Sequence, residues 1–190
     1  DGNQFSGQFE QGQLKGPGSF TSPEGDHYSG DFVDTQFHGK GRYQSVDGDV
    51  WSGQFVRGSL SGAGEFHGSD GSLYQGQFRD WRYHGEGHLR LADGSIYQGR
   101  FARDQYSGQG RLTLADGRSL GGTWQAGQRL RDEQDVLLPD PLEIGLLEQG
   151  RLLDAALAAL PASTPAIELY ALTLAGDGKQ SVFMREADYV

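Results

Sequence analysis

The sequence contains no cysteine, which excludes disulfide staples, thiolate metal sites and thiol nucleophiles among these residues. No apolar run approaches the roughly 18 residues at which a segment reads as a membrane-spanning helix. Positive charge is also scarce, with 16 Lys and Arg against 26 Asp and Glu and a formal net charge of -10. Binding to a nucleic acid draws mainly on attraction between basic side chains and phosphate, so nucleic acid is excluded as a partner and an acidic membrane is disfavoured.

Glycine, in contrast, is abundant: 31 of 190 residues, nearly all before residue 128, after which the chain becomes rich in Leu and Ala. The glycines are periodic. An opening residue recurs every 23 positions as Phe5, Tyr28, Trp51, Tyr74, Tyr97 and Leu120. A glycine follows two positions on, from Gly7 to Gly122, and then an aromatic residue at Phe9, Phe32, Phe55, Phe78, Phe101 and Trp124. A Gly-x-Gly pair comes next, from Gly16/Gly18 to Gly108/Gly110, and each unit closes on an acidic residue and glycine such as Asp47-Gly48 or Asp93-Gly94. The sixth unit lacks the pair and reads as a terminal cap. Counting back from Glu24 lands on Asp1, so the period predicts further units before this one.

Each unit holds two alternating stretches. Tyr97, Gly99 and Phe101 share one parity and Gln98, Arg100 and Ala102 the other, the pattern of a half-buried strand. The acidic residue-Gly pairs supply turn chemistry, which predicts tight hairpins there and an antiparallel meander. Glycine inside a strand marks close approach of another group; here both glycines of the pair are predicted to make room for neighbouring rings. At about 4.8 Å per strand, six two-stranded units give a ribbon roughly 55 Å long. A nucleotide-binding glycine run needs a helix after it to receive the phosphate, whereas each of these runs into a strand.

The spacing Y-x-G-x-F, G-x-G, D-G resembles the MORN repeat family over residues 1–128. The resemblance implies a twisted hairpin ribbon used for binding, scaffolding or oligomerisation, often fused to an enzyme. Departures are Trp51 for Tyr, Glu24 for Asp, Pro17 between two glycines, and Leu120 and Trp124 in the last unit. The fold class expected is mainly β: a single-layer antiparallel sheet of hairpins, followed by a helix and a truncated strand-helix piece.

Residues 129–165 read as a linker and a capping helix. Asp140-Pro141-Leu142-Glu143 is a helix start with Asp at the N-cap, Pro at the first turn and Glu three residues in. Leu142, Leu146, Leu153, Leu157 and Leu160 form one stripe expected to cover the ribbon end near Leu120 and Trp124. Gly150 predicts a break, and Pro161 the end. Residues 166–190 read as a strand over 167–174, a Gly-Asp-Gly turn and the start of a helix. That stretch resembles the opening of a legumain-like, caspase-fold cysteine peptidase domain, as found after MORN arrays in some bacterial proteins. The resemblance implies that the chain is the N-terminal portion of a larger protein.

His84, Glu86 and His88 share the wet face of one strand, but four residues along a strand span about 13 Å, too far for one zinc ion whose ligands lie about 2.1 Å away. They read as solvated. Neither a metal nor a cofactor is expected, and no catalytic residue. Trp81 stands in a loop slot that other units fill with Gly12, Gly58 or Gly127; it is a candidate binding residue, the alternative being that its ring folds back onto Tyr83 or a neighbouring loop. Trp51, Tyr74, Tyr97, Tyr83 and Tyr106 join it as the candidate aromatic face. The expected partner is a protein or the chain's own downstream domain, with self-association among the outcomes. A lipid-binding module and an aromatic groove for peptide or glycan are the alternatives.

Overall fold

The computed structural model describes residues 2–158, 171–174 and 180–183. Twelve strands form one sheet in chain order: β1 (Gln4–Glu10), β2 (Gln13–Thr21), β3 (His27–Val33), β4 (Gln36–Gln44), β5 (Val50–Val56), β6 (Ser59–His67), β7 (Leu73–Arg79), β8 (Arg82–Arg90), β9 (Ile96–Ala102), β10 (Gln105–Thr113), β11 (Ser119–Gln125) and β12 (Gln128–Arg131). Every neighbouring pair in it is antiparallel. The expected meander of six hairpins is present.

The tight turns lie elsewhere than expected. Gln11-Gly12, Asp34-Thr35, Arg57-Gly58, Asp80-Trp81, Arg103-Asp104 and Ala126-Gly127 all have positive φ at both residues, the mark of a two-residue type I′ hairpin. The second residue of each loop after the first unit donates its amide to the preceding unit, as Trp81 does to the Leu60 carbonyl at 3.0 Å and Asp104 to that of Tyr83 at 3.2 Å. This link recurs from unit to unit. At the Asp-Gly pairs only the glycine has positive φ. Ser45 donates to Asp49 at 2.9 Å and Gly48 to Ser45 at 3.0 Å, closing a longer turn on a left-handed glycine.

The register assigns the glycines two jobs. Gly7, Gly18, Gly30, Gly41, Gly53, Gly64, Gly76, Gly87, Gly99, Gly110 and Gly122 pair one with the next across eleven strands. Above this row lie rings. A Cβ on Gly30 would fall 2.5 Å from the Tyr28 hydroxyl, one on Gly87 2.5 Å from Tyr74 Cε2, and one on Gly110 2.5 Å from Tyr97 Cζ. The first glycine of each Gly-x-Gly does something else, and here the expectation is corrected. Gly16, Gly39, Gly62, Gly85 and Gly108 have φ between 62° and 102° and meet no ring. They sit where two residues are extruded from the pairing inside each hairpin, as between Gly76↔Gly87 and Gln77↔His84. The first glycine is required for its backbone conformation, the second for its missing side chain.

The tyrosine hydroxyls are satisfied: Tyr28 donates to the Asp31 carbonyl at 3.1 Å, Tyr74 to Gln77 at 2.8 Å and Tyr97 to Arg100 at 3.2 Å. A second ring stacks flat on each, with Tyr28/Phe37, Tyr74/Tyr83 and Tyr97/Tyr106 centroids 3.9, 3.8 and 3.7 Å apart. The unit's own Phe and the aromatic residue of the next unit close the sides edge-on: Phe32 and Phe55 around Tyr28, Phe78 and Phe101 around Tyr74, Phe101 and Trp124 around Tyr97. The core is therefore shared between successive units.

The last unit ends the sheet differently from the others. Trp124 is buried against Tyr97 and Tyr106, and its indole donates to the Gly110 carbonyl at 3.0 Å. β12 covers β11, Arg129 donates to the Gly121 carbonyl at 2.8 Å, and Arg131 bridges to Leu137. This compact unit runs to Pro139, further than the boundary at residue 128 read from the repeat.

The second compact unit begins at Asp140. Helix α1 (Pro141–Ala158) starts where expected, with Ile144 donating to the Asp140 carbonyl at 2.9 Å. It runs unbroken through Gly150, correcting the predicted break; nothing lies within 4 Å of the position a Cβ would take there, so the residue is a propensity cost alone. Ile144, Leu146, Leu147 and Leu152 are exposed. Leu160 and Pro161 lie outside the described residues. Strands β13 (Ala171–Leu174) and β14 (Gln180–Phe183) pair antiparallel, Ala171 opposite Phe183. The expected strand over 167–174 is described from residue 171, and Phe183, where the start of a helix is expected after the Gly-Asp-Gly turn, lies in β14.

The two glycine roles predict different rescue behaviour. Gly87→Ala should cost about 1–3 kcal/mol by overpacking, and Gly85→Ala about 1–2 kcal/mol through its left-handed backbone. Replacing Tyr74 with Leu should recover part of the Gly87→Ala loss and none of the Gly85→Ala loss. Denaturant unfolding of the four-variant cycles measures this; equal coupling in both would contradict the division.

Candidate binding site

The aromatic residues singled out from sequence separate into two groups. Tyr74 and Tyr97 have no exposed surface, and Tyr83 and Tyr106 are the rings stacked on them. Tyr74 and Tyr97 are core, and Tyr83 and Tyr106 pack half-buried against it. Burial pushes the Tyr74 and Tyr97 phenols up to about 12, as it does that of Tyr28, and raises Tyr83 and Tyr106 also.

Trp51 and Trp81 come together instead, and the third unit shows why. It has Trp51 where three others have Tyr, and Leu60 where those three place the second ring of the stack. Leu60, fully buried, reaches over the glycine row, 3.1 Å from a Cβ on Gly53. Trp51 packs instead on Phe66 at 4.9 Å. In the tyrosine units the Phe at the end of the first strand meets the second stacking ring at 5.6–5.7 Å. Phe55 has no such ring within its unit, and Trp81 of the next unit supplies one at 5.4 Å. The Trp81 ring packs on Tyr43, Trp51 and Phe55 and thus compensates for Leu60, although it occupies a left-handed position, φ 68°, that is costly for a bulky residue.

Trp51 and Trp81 line a cavity of about 350 Å³ with Phe20, Phe37, Tyr43 and Asp26. Asp26 Oδ1 accepts the Val46 amide at 2.9 Å. Burial, and then a hydrogen bond with Asp26, pushes the Tyr43 phenol up to about 12. Sequence reading passed over Phe20, Phe37, Tyr43 and Asp26, since their meeting with Trp51 and Trp81 depends on the register of four hairpins.

The opposite, polar face carries a larger hollow, about 880 Å³. Gly87, Gly99, Gly110 and Gly122 lie along it, and Gln75, Glu86, His88, Gln98, Gln109, Arg111 and Glu133 surround them. Gln75, His88, Gln98 and Arg111 are successive cross-strand partners. Arg111 is held by Glu133 at 2.7 Å, and Gln109 donates to Thr123 Oγ1 at 2.9 Å. A third cavity, about 470 Å³, gathers Arg79, Arg82, His84 and Arg103 with Asp80. The even scatter of basic residues along the chain becomes a local cluster because Arg79 and Arg82 pair across a two-residue loop. Among the described residues no three His, Asp or Glu side chains gather as metal ligands, and no helix is long and apolar enough to cross a membrane.

A family model described as the MORN repeat matches residues 5–27, 28–50, 51–73, 74–96 and 97–117. No curated protein matches the chain.

The buried phenols give the array an alkaline signature. A phenol whose pKa is higher when folded contributes stability that is intact below the unfolded value near 10, and that is lost as pH rises toward about 12. The tyrosinate absorbance of the folded chain should therefore lag well behind that of the denatured chain above pH 10, and unfolding should accompany its rise. Coincident titration curves would contradict burial of the tyrosine row.

Proposed function

The chain belongs to the MORN repeat family, and from that premise we propose that its polar face holds an extended segment of a protein partner. The array is a non-catalytic repeat module of the kind used for binding or scaffolding. One observation carries the choice of face: Tyr28, Tyr74 and Tyr97 on the aromatic side have no exposed surface, whereas the polar side keeps an open hollow of about 880 Å³ over the glycine row. Its amides, carboxylates, imidazole and guanidinium match the mixed donors and acceptors of a peptide. A downstream domain of the same polypeptide is one such partner; the resemblance of residues 167–190 is the support for a peptidase in that role.

The test uses peptides selected against the chain from a random display library. Gln98→Trp places a ring in the hollow from a strand position whose neighbours belong to the polar face, so selected peptides should lose at least tenfold in affinity while the melting temperature holds. Binding undiminished by Gln98→Trp would remove the hollow from consideration.

A second reading, attachment to a phosphate-bearing surface, is favoured by the Arg79, Arg82 and Arg103 cluster. Against it stands the net charge of -10, since about 1 kcal/mol per basic residue near a membrane must exceed the repulsion of the rest. Acidic vesicles should leave the chain in the supernatant at physiological salt. Sedimentation that disappears when the three arginines become Gln would put the membrane reading first.

A further inference from the structure

We propose that the pocket lined by Tyr43, Trp51 and Trp81 binds a small organic cation carrying a trimethylammonium group. Its three principal walls are Tyr43, Trp51 and Trp81. The centroid separations are 5.2 Å for Tyr43–Trp81, 5.9 Å for Tyr43–Trp51 and 6.0 Å for Trp51–Trp81, with planes inclined at 72°, 61° and 86°. Three rings standing nearly at right angles form a corner. A cation seated in it lies within the roughly 6 Å at which a ring's quadrupole attracts positive charge, and tryptophan is the strongest such ring. Phe20 and Phe37, 5.5 Å apart, complete the lining.

Asp26 supplies the charge complement, as the single ionisable carboxylate among the six lining residues. Its anchoring to the Val46 amide does not by itself mark a site, because Asp49 holds the Ser69 amide of the following turn in the same way, at 2.8 Å. What sets Asp26 apart is the five rings facing the same cavity. A volume near 350 Å³ lies at the small end of ligand sites, which begin at about 300 Å³. Five of six lining residues are aromatic, so the side chains of the pocket offer rings and one carboxylate rather than the several amides that would hold a peptide main chain. These features favour a free choline-like cation over a methylated lysine presented on a protein.

The readout is built in, since two of the three tryptophans line the pocket and the third, Trp124, is buried in the last unit. Titration with choline should change tryptophan fluorescence saturably, whereas 3,3-dimethylbutanol, its uncharged isostere, should bind at least tenfold more weakly. Asp26→Asn keeps an oxygen for the Val46 amide and should weaken choline about tenfold. Trp51→Leu should abolish the response to choline, with the melting curve reporting that the sheet remains folded. Should Trp51→Leu unfold, choline protection of Trp51 and Trp81 ring resonances by NMR in the unaltered chain replaces it. Equal binding of choline and its neutral isostere, or no saturable response, overturns the proposal. A trimethyllysine peptide binding tenfold tighter than choline overturns the commitment to a free small cation.

Discussion

Ring over glycine is the contact on which the sheet depends. A single-layer sheet has no second sheet or helix to bury its apolar face, so it must cover that face with its own side chains. Here tyrosines lie down across the strands, and they can do so only where the strand beneath has no Cβ. Tyr28, Tyr74 and Tyr97 each cover a pair of glycines on adjacent strands, donate a hydrogen bond to a carbonyl three residues on, and carry a second ring on top. Each unit borrows a Phe or Trp from the next to close its side. Stability is consequently a nearest-neighbour property, and the end of the array needs its own solution, found in Trp124 and β12.

The third unit tests how far this arrangement bends. With Leu60 over the glycines and Trp51 turned away, the contact set is one ring short, and Trp81 fills it from the adjoining unit at a backbone position suited to glycine. The backbone strain is offset by contacts with Tyr43, Trp51 and Phe55. The repair leaves a corner of three rings beside Asp26 where the regular units have closed stacks.

The two faces of the glycine row have opposite fates. On one side rings fill the space left by missing side chains; on the other, that same absence leaves a polar hollow without a ridge. No catalytic grouping is needed to explain any residue of the array.

Sequence alone determined the unit of 23 residues, the alternation that makes two strands of it, the antiparallel order and the association of rings with glycines, because these are local or strictly periodic properties. It also located the start of α1 from Asp140 and Pro141, where capping acts within one turn. Tertiary structure decided which glycine of each pair serves a ring and which serves a bulge, because that depends on register across hairpins. It moved the two-residue turns to loops such as Asp80-Trp81, since the twist of flanking strands can impose positive φ on residues that do not favour it. It turned Phe183 into part of a strand. It also assigned Tyr74 and Tyr97 to the core, stacked the half-buried Tyr83 and Tyr106 on them, and brought Trp51 and Trp81 to Phe20, Phe37, Tyr43 and Asp26. Whether a periodic ring is covered depends on residues one unit away, and only the folded sheet brings those residues together.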